Sequence, residues 1–309
     1  MYNTQLQHII TEAITRINNE LTESAPYMAE RVGKWMTTLS GTATPEDYFL
    51  HPLAFPMLLL PWWCEQTLCT PADLDFQSDL AYSTINGYYY IRLIDDIMDG
   101  DAEIDSHLLP ALNFFHTQFH GIYFRYFDAE HSFWHDFKQI WLRSAESAMQ
   151  DASLTEIDYE QFQHIAAQKV CAAKIPVIAV CYQYNRSDLV EVWSNLVDLL
   201  GCWNQMTNDL FDWHKDLTHQ IPSYFLSEAR RQKSETETIT DWVIREGFSW
   251  GCELAYDFMD KLKSFNTNLQ NSDLEVYLDR YYVLFSEREA DVQQGFQNMS
   301  KLLSIVGHK

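Results

Sequence analysis

One periodicity constrains this chain more than any other feature. Apolar residues return at spacings of three and four, rather than two, along most of its length. Leu6, Ile9, Ile10, Ala13, Ile14 and Ile17 form one such face, as an amphipathic helix requires. Comparable segments cover about 76–99, 107–126, 131–150, 158–183, 188–217, 237–266 and 273–303. Breaks are expected at Gly41 to Pro45, Pro71, Gly100, Asn185 to Ser187 and Pro222, where turn-forming residues punctuate the pattern. Strand-like alternation is rare. With 10 glycines and 9 prolines in 309 residues, the chain lacks the glycine-rich turns that parallel α/β folds use. No internal repeat and no linker separates a second domain. The reading is all-α, a single-domain bundle of about ten helices over residues 1–309.

Charge then removes several functions. Lys and Arg total 21 against 44 Asp and Glu, a formal charge of −23. Such a surface repels phosphate backbones, so nucleic acid is not an expected partner. The most apolar stretch, Phe49 to Cys64, is interrupted by His51, Pro52, Pro56 and Pro61, so no transmembrane segment is expected. The N-terminus has no basic region before an apolar block. Six cysteines (64, 69, 171, 181, 202 and 252) are scattered without metal-binding spacing. They read as free thiols of a cytoplasmic protein.

Two polar clusters interrupt apolar helical runs. In the first, Asp95 and Asp99 stand four apart and share a face, with Asp96 beside them. They sit inside an apolar run (Tyr88 to Ile91, Leu93, Ile94, Ile97 and Met98) that should be buried, and acids near a helix C-terminus oppose its dipole. Several carboxylates crowded there are costly without a counter-charge. A divalent cation such as Mg²⁺ supplies one, since it takes one or two carboxylates and completes its shell with water and phosphate oxygens. In the second cluster, Asn208, Asp212 and Asp216 form an i, i+4, i+8 ladder. It rises roughly 12 Å along one stripe of a continuous helix, with Asp209 about 100° off it. An amide oxygen and two carboxylates again suit a hard cation.

These motifs give the chain its resemblance to the class I isoprenoid synthases. Asp95-Asp96-x-x-Asp99 resembles the aspartate-rich motif of that superfamily. Asn208-Asp209-x-x-Asp212-x-x-x-Asp216 resembles the terpene cyclase metal triad, with Asp212 for the hydroxyl residue and Asp216 for Glu. The resemblance implies the class I terpenoid synthase fold around a central cavity. It also implies a Mg²⁺-dependent enzyme that ionises one farnesyl or geranylgeranyl diphosphate, and it allows a homodimer through outer helices. About three Mg²⁺ would be held by Asp95, Asp96, Asp99, Asn208, Asp212 and Asp216 together with the diphosphate. Asp95, Asp96, Asn208 and Asp212 are the expected catalytic residues. Lys169, Arg280, Tyr281, Lys215 and Arg92 are the candidates for holding the diphosphate. Lys169 leads among them, as a cation in an apolar helical stretch. Pro176 is expected to kink that same helix. Tyr88, Phe55, Trp62 and Phe211 are the candidate walls of an aromatic cavity that stabilises a carbocation.

The branch is open. Tyr88-x-x-x-Arg92-x-x-Asp95-Asp96-x-x-Asp99 is also similar to squalene and phytoene synthases, which couple two prenyl diphosphates. The window Leu200-Gly201-x-x-x-Gln205-x-Thr207-Asn208-x-x-x-Asp212-x-x-x-Asp216 is similar to the same synthases and matches polyprenyl synthases less fully. Against both, the basic groups for a second diphosphate are reduced to Gly33-Lys34 upstream, and Gly100 is followed by acids. Charge therefore favours one diphosphate and a terpene cyclase, with prenyl coupling as the alternative and a non-catalytic metal- or partner-binding bundle as a further one. A di-iron bundle would need Glu-x-x-His on two helices, which is not present. His131 and His135 have helical spacing without the Glu of a zinc protease motif.

Overall fold

The computed structural model describes residues 2–306 except 53, 70, 99–105, 152 and 153, and does not describe the side chains of 151 and 299–306. Asp99 and Gly100 lie outside the described residues. Within them the chain is all-α. In order the helices are α1 (Thr4–Ser24), α2 (Pro26–Ser40), α3 (Glu46–Leu50), α4 (Leu59–Leu68), α5 (Leu74–Met98), α6 (Ala111–Gly121), α7 (Phe133–Asp151) and α8 (Tyr159–Lys169). Then follow α9 (Lys174–Gln183), α10 (Val190–Phe211), α11 (Trp213–His219), α12 (Tyr224–Gln232), α13 (Ile239–Trp242), α14 (Phe248–Leu269) and α15 (Ser272–Val306).

The helices are more numerous than the periodicity suggests in part because two long patterns are interrupted where no breaker residue stands. The stretch expected over 158–183 stops at Lys169, passes a 3₁₀ turn at Cys171–Ala173 and restarts at Lys174. The break is therefore at Val170 rather than at Pro176. Pro176 falls in the first turn of α9, where a missing N–H costs little. The second ladder is not on one continuous helix either: α10 ends at Phe211, and Asp212 (φ −99°, ψ 3°) precedes α11. A segment of π-helix, Val243–Gly247, joins α13 to α14. There a Cβ on Gly247 would fall 2.2 Å from the Trp242 ring, so only glycine allows that approach.

The chain divides into two compact units, residues 1–148 with 170–197, and residues 149–169 with 198–309. In the first, α5 packs chiefly on α1 and α6. It is buried on nearly every side from Phe76 to Tyr89. A Cβ on Gly87 would lie 2.8 Å from the Phe119 ring, so glycine sets the close approach of α5 and α6. Buried Asp79 ties three elements together. It accepts from Arg16 of α1 at 3.2 Å, from Arg125 at 2.9 Å and from the Tyr126 hydroxyl at 2.9 Å. Fully buried Glu65 of α4 accepts from the Tyr184 hydroxyl at 2.5 Å, from Gln77 at 2.8 Å and from the Asp73 amide at 3.3 Å.

In the second unit, α14 packs on α15, and α12 leads into α13. Ser223 caps α12 by accepting from the Leu226 amide at 3.3 Å, satisfying one open donor of the first turn. The six cysteines are free thiols, five of them buried. Among the described residues no single helix is long and apolar enough to cross a membrane.

Candidate functional site

In the first unit, α5 carries Tyr88, Arg92, Asp95 and Asp96 toward its C-terminal end. Buried Tyr89 and Leu93 precede Asp96 by seven and three positions, so Asp96 shares their core-facing stripe. It is 4% exposed, whereas Asp95 lies on the outer side. The Arg92 guanidinium serves both acids: Nη2 is 2.7 Å from Asp96 and Nη1 is 3.5 Å from Asp95. The second oxygen of Asp96 accepts from the Trp35 indole N–H at 3.3 Å. One turn earlier the Tyr88 hydroxyl pairs with that of Tyr48, from α3. Burial raises the Tyr88 pKa first, with Tyr48 adding to it, while Arg92 pulls the other way. Phe49 meets Tyr88 and Tyr89 edge-on at 5.6 and 5.5 Å. Phe55 is half-buried before α4, and Trp62 is buried within α4.

In the second unit the ladder keeps its register across the helix break. The Asp212 amide bonds to the Asn208 carbonyl and the Asp216 amide to that of Asp212, each at 2.9 Å. Asn208 and Asp212 are exposed and Asp216 is half-buried. Burial pushes the Asp216 carboxyl upward, and the like charge of Asp212 adds to that, while Lys215 and Lys169 oppose it. Asp209 points inward, 3% exposed, and accepts from Gln205 at 2.6 Å and from the Tyr224 amide at 3.1 Å. Its desolvation raises its pKa to about 6, against the pull of Gln205 and then of Lys169.

Lys169 departs from its expected setting. It is an exposed cation at the C-terminal end of α8, where the helix dipole favours it, rather than one inside an apolar run. It joins Phe162, Ile165, Gln205, Asp209 and Tyr224 around a small cleft of about 20 Å³. That is room for about one water molecule, so the cleft is a niche beside the ladder and not a chamber for a long chain.

The remaining candidates are spread over the same unit. Lys215 is exposed on α11. On α15, Arg280 is exposed while Tyr281 is buried, its ring tilted against Tyr277 at 4.2 Å and edge-on to Trp203 at 5.3 Å. The two adjacent residues therefore occupy different faces. The Phe211 ring is covered by the Arg288 guanidinium at 4.0 Å and flanked by Phe285 and Phe248 at 5.6 and 5.9 Å.

The donor set is one of hard oxygens. Among the described residues no three acidic, histidine or cysteine side chains converge on one point. The second stripe offers two carboxylates and an amide, and Asp99 of the first lies outside the described residues. Such incomplete shells fit Mg²⁺, which keeps water and phosphate oxygens in its octahedron, better than an ion that needs an all-protein cage. Trp35 and Tyr48 are the site-supporting residues the motifs did not single out, whereas Gln205 stands within the second motif window. Gln205 is legible as an i, i+4 partner of Asp209. Trp35, 61 residues from Asp96, has no local signal.

No protein-family description matches the chain, and no curated protein does. Solved structures do. A geranylgeranyl pyrophosphate synthase from Corynebacterium glutamicum is 12% identical, with a TM-score of 0.70 over 92% of each chain. A geranylgeranyl pyrophosphate synthetase from the archaeon Geoglobus acetivorans is 15% identical, with a TM-score of 0.63 over 90% of this chain and 99% of its own. An octaprenyl pyrophosphate synthase from Helicobacter pylori is 12% identical, with a TM-score of 0.60 over 87% and 98%. At these identities the likeness establishes the fold: the chain has the all-helical architecture seen in prenyl pyrophosphate synthases.

Proposed function

We propose that this protein is an enzyme of isoprenoid metabolism that ionises an allylic prenyl diphosphate with the help of Mg²⁺ and transfers the prenyl group to a second prenyl unit. The observation that carries this reading is the shared fold, over about nine-tenths of the chain, with structures named as prenyl pyrophosphate synthases. Exposed Asp95 on α5, and exposed Asn208 and Asp212 at the end of α10, support it, because they present hard donors to solvent, Asp95 and Asn208 each next to a buried carboxylate.

Asp95 in the first unit would hold metal, and so would Asn208, Asp212 and Asp216 in the second. When bound, Mg²⁺ neutralises the diphosphate and makes it a better leaving group. Lys169 adds positive charge beside Asp209 and Asp216 and would steady the departing diphosphate. Lys215 and Arg280, both exposed, are further candidates for that contact. Tyr88, Phe55, Trp62 and Phe211 stay proposed as aromatic surface for the allylic cation. The assembly as one domain and as a homodimer belongs to the same proposal.

A second reading, terpene cyclisation from one diphosphate, is favoured by a specific observation. Arg92, the basic residue nearest the first motif, is engaged by Asp96, and Lys34 is a single exposed lysine. That is little positive charge for a second diphosphate. One experiment separates the two. The protein is incubated with Mg²⁺ and farnesyl or geranylgeranyl diphosphate, each alone and with isopentenyl diphosphate, and products are read by mass spectrometry. A chain lengthened by five carbons, or a doubled carbon count, supports transfer. A cyclic hydrocarbon or alcohol supports cyclisation instead. Unchanged substrate in every arm overturns both.

A further inference from the structure

Arg92, the basic residue that the first motif offers to an anionic ligand, is turned back onto its own helix. Its Nη2 is 2.7 Å from Asp96 Oδ1, and the Trp35 indole of α2 donates to Asp96 Oδ2 at 3.3 Å. Both oxygens of a carboxylate that is 4% exposed are thus held by donors of the protein itself. A buried carboxylate left without its cation is strongly disfavoured, so Arg92 could swing out to a ligand only by stranding Asp96. Its Nε is buried without a hydrogen-bond partner, a loss that fits a guanidinium fixed by its ion pair and not one presented to solvent. Asp95, one position along, stays on the outer side at 3.5 Å from the same group.

We propose that Arg92 is a positioning residue: it is the internal counter-ion of Asp96, and the Arg92–Asp96–Trp35 linkage fixes the last turn of α5 so that Asp95 is presented to metal. Asp96 is then not a metal ligand, and Arg92 is not a diphosphate contact. This deepens the proposed function and rests on it for the metal at Asp95; the ion pair itself does not.

The test is a double-mutant cycle in the full-length, metal-free protein, using Arg92→Gln, Asp96→Asn and the double variant. Urea unfolding is measured first. Mn²⁺ binding without substrate is then followed by electron paramagnetic resonance, and inorganic diphosphate binding is measured in excess Mg²⁺. The neutral Gln–Asn pair keeps a hydrogen bond and the wild-type net charge. The expected result is a coupling of at least about tenfold in the unfolding equilibrium. The double variant is expected to keep Mn²⁺ and diphosphate affinities within about threefold of wild type, whereas Asp95→Asn loses at least about tenfold in Mn²⁺ affinity. If Arg92→Gln does not fold, a double variant that does fold is itself the coupling. Arg92→Lys, which keeps the charge, should then recover most of the stability and the Mn²⁺ signal.

Additive single effects overturn the proposal. So does a tenfold loss of diphosphate affinity in the double variant, or a loss of Mn²⁺ affinity in Asp96→Asn equal to that of Asp95→Asn. Wild-type protein that gives no Mn²⁺ signal sinks the metal reading instead, while the unfolding cycle still decides the ion pair.

Discussion

Gln205 donates to Asp209 across 2.6 Å, one helical turn away. Arg92 stands in the same i, i+4 relation to Asp96, at 2.7 Å. Each motif thus keeps one carboxylate indoors under a partner four residues earlier and sends the neighbouring donor, Asn208 or Asp95, outward. Removing the amide should expose the cost of that arrangement. Gln205→Leu leaves Asp209 with the Tyr224 amide and the field of Lys169, and should destabilise the protein by about 1–3 kcal/mol. Urea denaturation measures this, and an unchanged midpoint would show that Gln205 does not support Asp209.

The outward donors carry the opposite expectation. Asp95→Asn and Asp212→Asn alter exposed side chains, so far-ultraviolet circular dichroism and the melting temperature should stay near wild type. Turnover of a prenyl diphosphate should fall at least ~100-fold, as for loss of a group that stabilises developing charge. Full activity in either variant would place the metal elsewhere.

The motifs were readable because the chemistry needs oxygens at helical spacing, and that spacing survives folding. Of the two inner acids the sequence set only Asp209 apart, about 100° off its stripe; Asp96 was grouped with the metal-binding acids, although it follows the core residue Leu93 by three positions. The helix ends were not readable. Val170 has no breaking tendency of its own, and Asp212 interrupts α10 while the backbone bonds on either side preserve the i, i+4 pattern. The Trp35 contact to Asp96 is set by packing of α2 against α5, which no local window records. Nor did the sequence reveal that Arg280 and Tyr281 face different ways, although adjacent residues on a helix sit about 100° apart.

Glu65 provides a pH signature away from both stripes. Its burial, the largest influence, raises its pKa above the ordinary 4.5, and the Tyr184 and Gln77 hydrogen bonds only partly offset this. A carboxyl with a raised folded value is easier to protonate in the native state, so native stability falls as pH rises above about 4.5 and levels off beyond the folded value. Glu65→Gln should flatten that part of the stability curve, measured by urea unfolding from pH 4 to pH 8. A slope as steep as wild type would assign it to other groups.

The α5–α6 contact gives a steric prediction. Gly87→Ala puts a methyl 2.8 Å from the Phe119 ring and should cost about 1–3 kcal/mol through overpacking. Phe119→Leu should recover part of that loss in the double variant. Simple additivity of the two changes would mean that the helices already have room.

The interruption at Asp212 has a mechanical outcome. Asn208 rides on the rigid end of α10, Asp216 rides on the seven-residue α11, and Asp212 is the joint between them. The backbone bonds from Asp212 to Asn208 and from Asp216 to Asp212 carry the register across that joint, so the second ligand set is shared by two helices, whereas Asp95 in the first unit is borne by α5 alone.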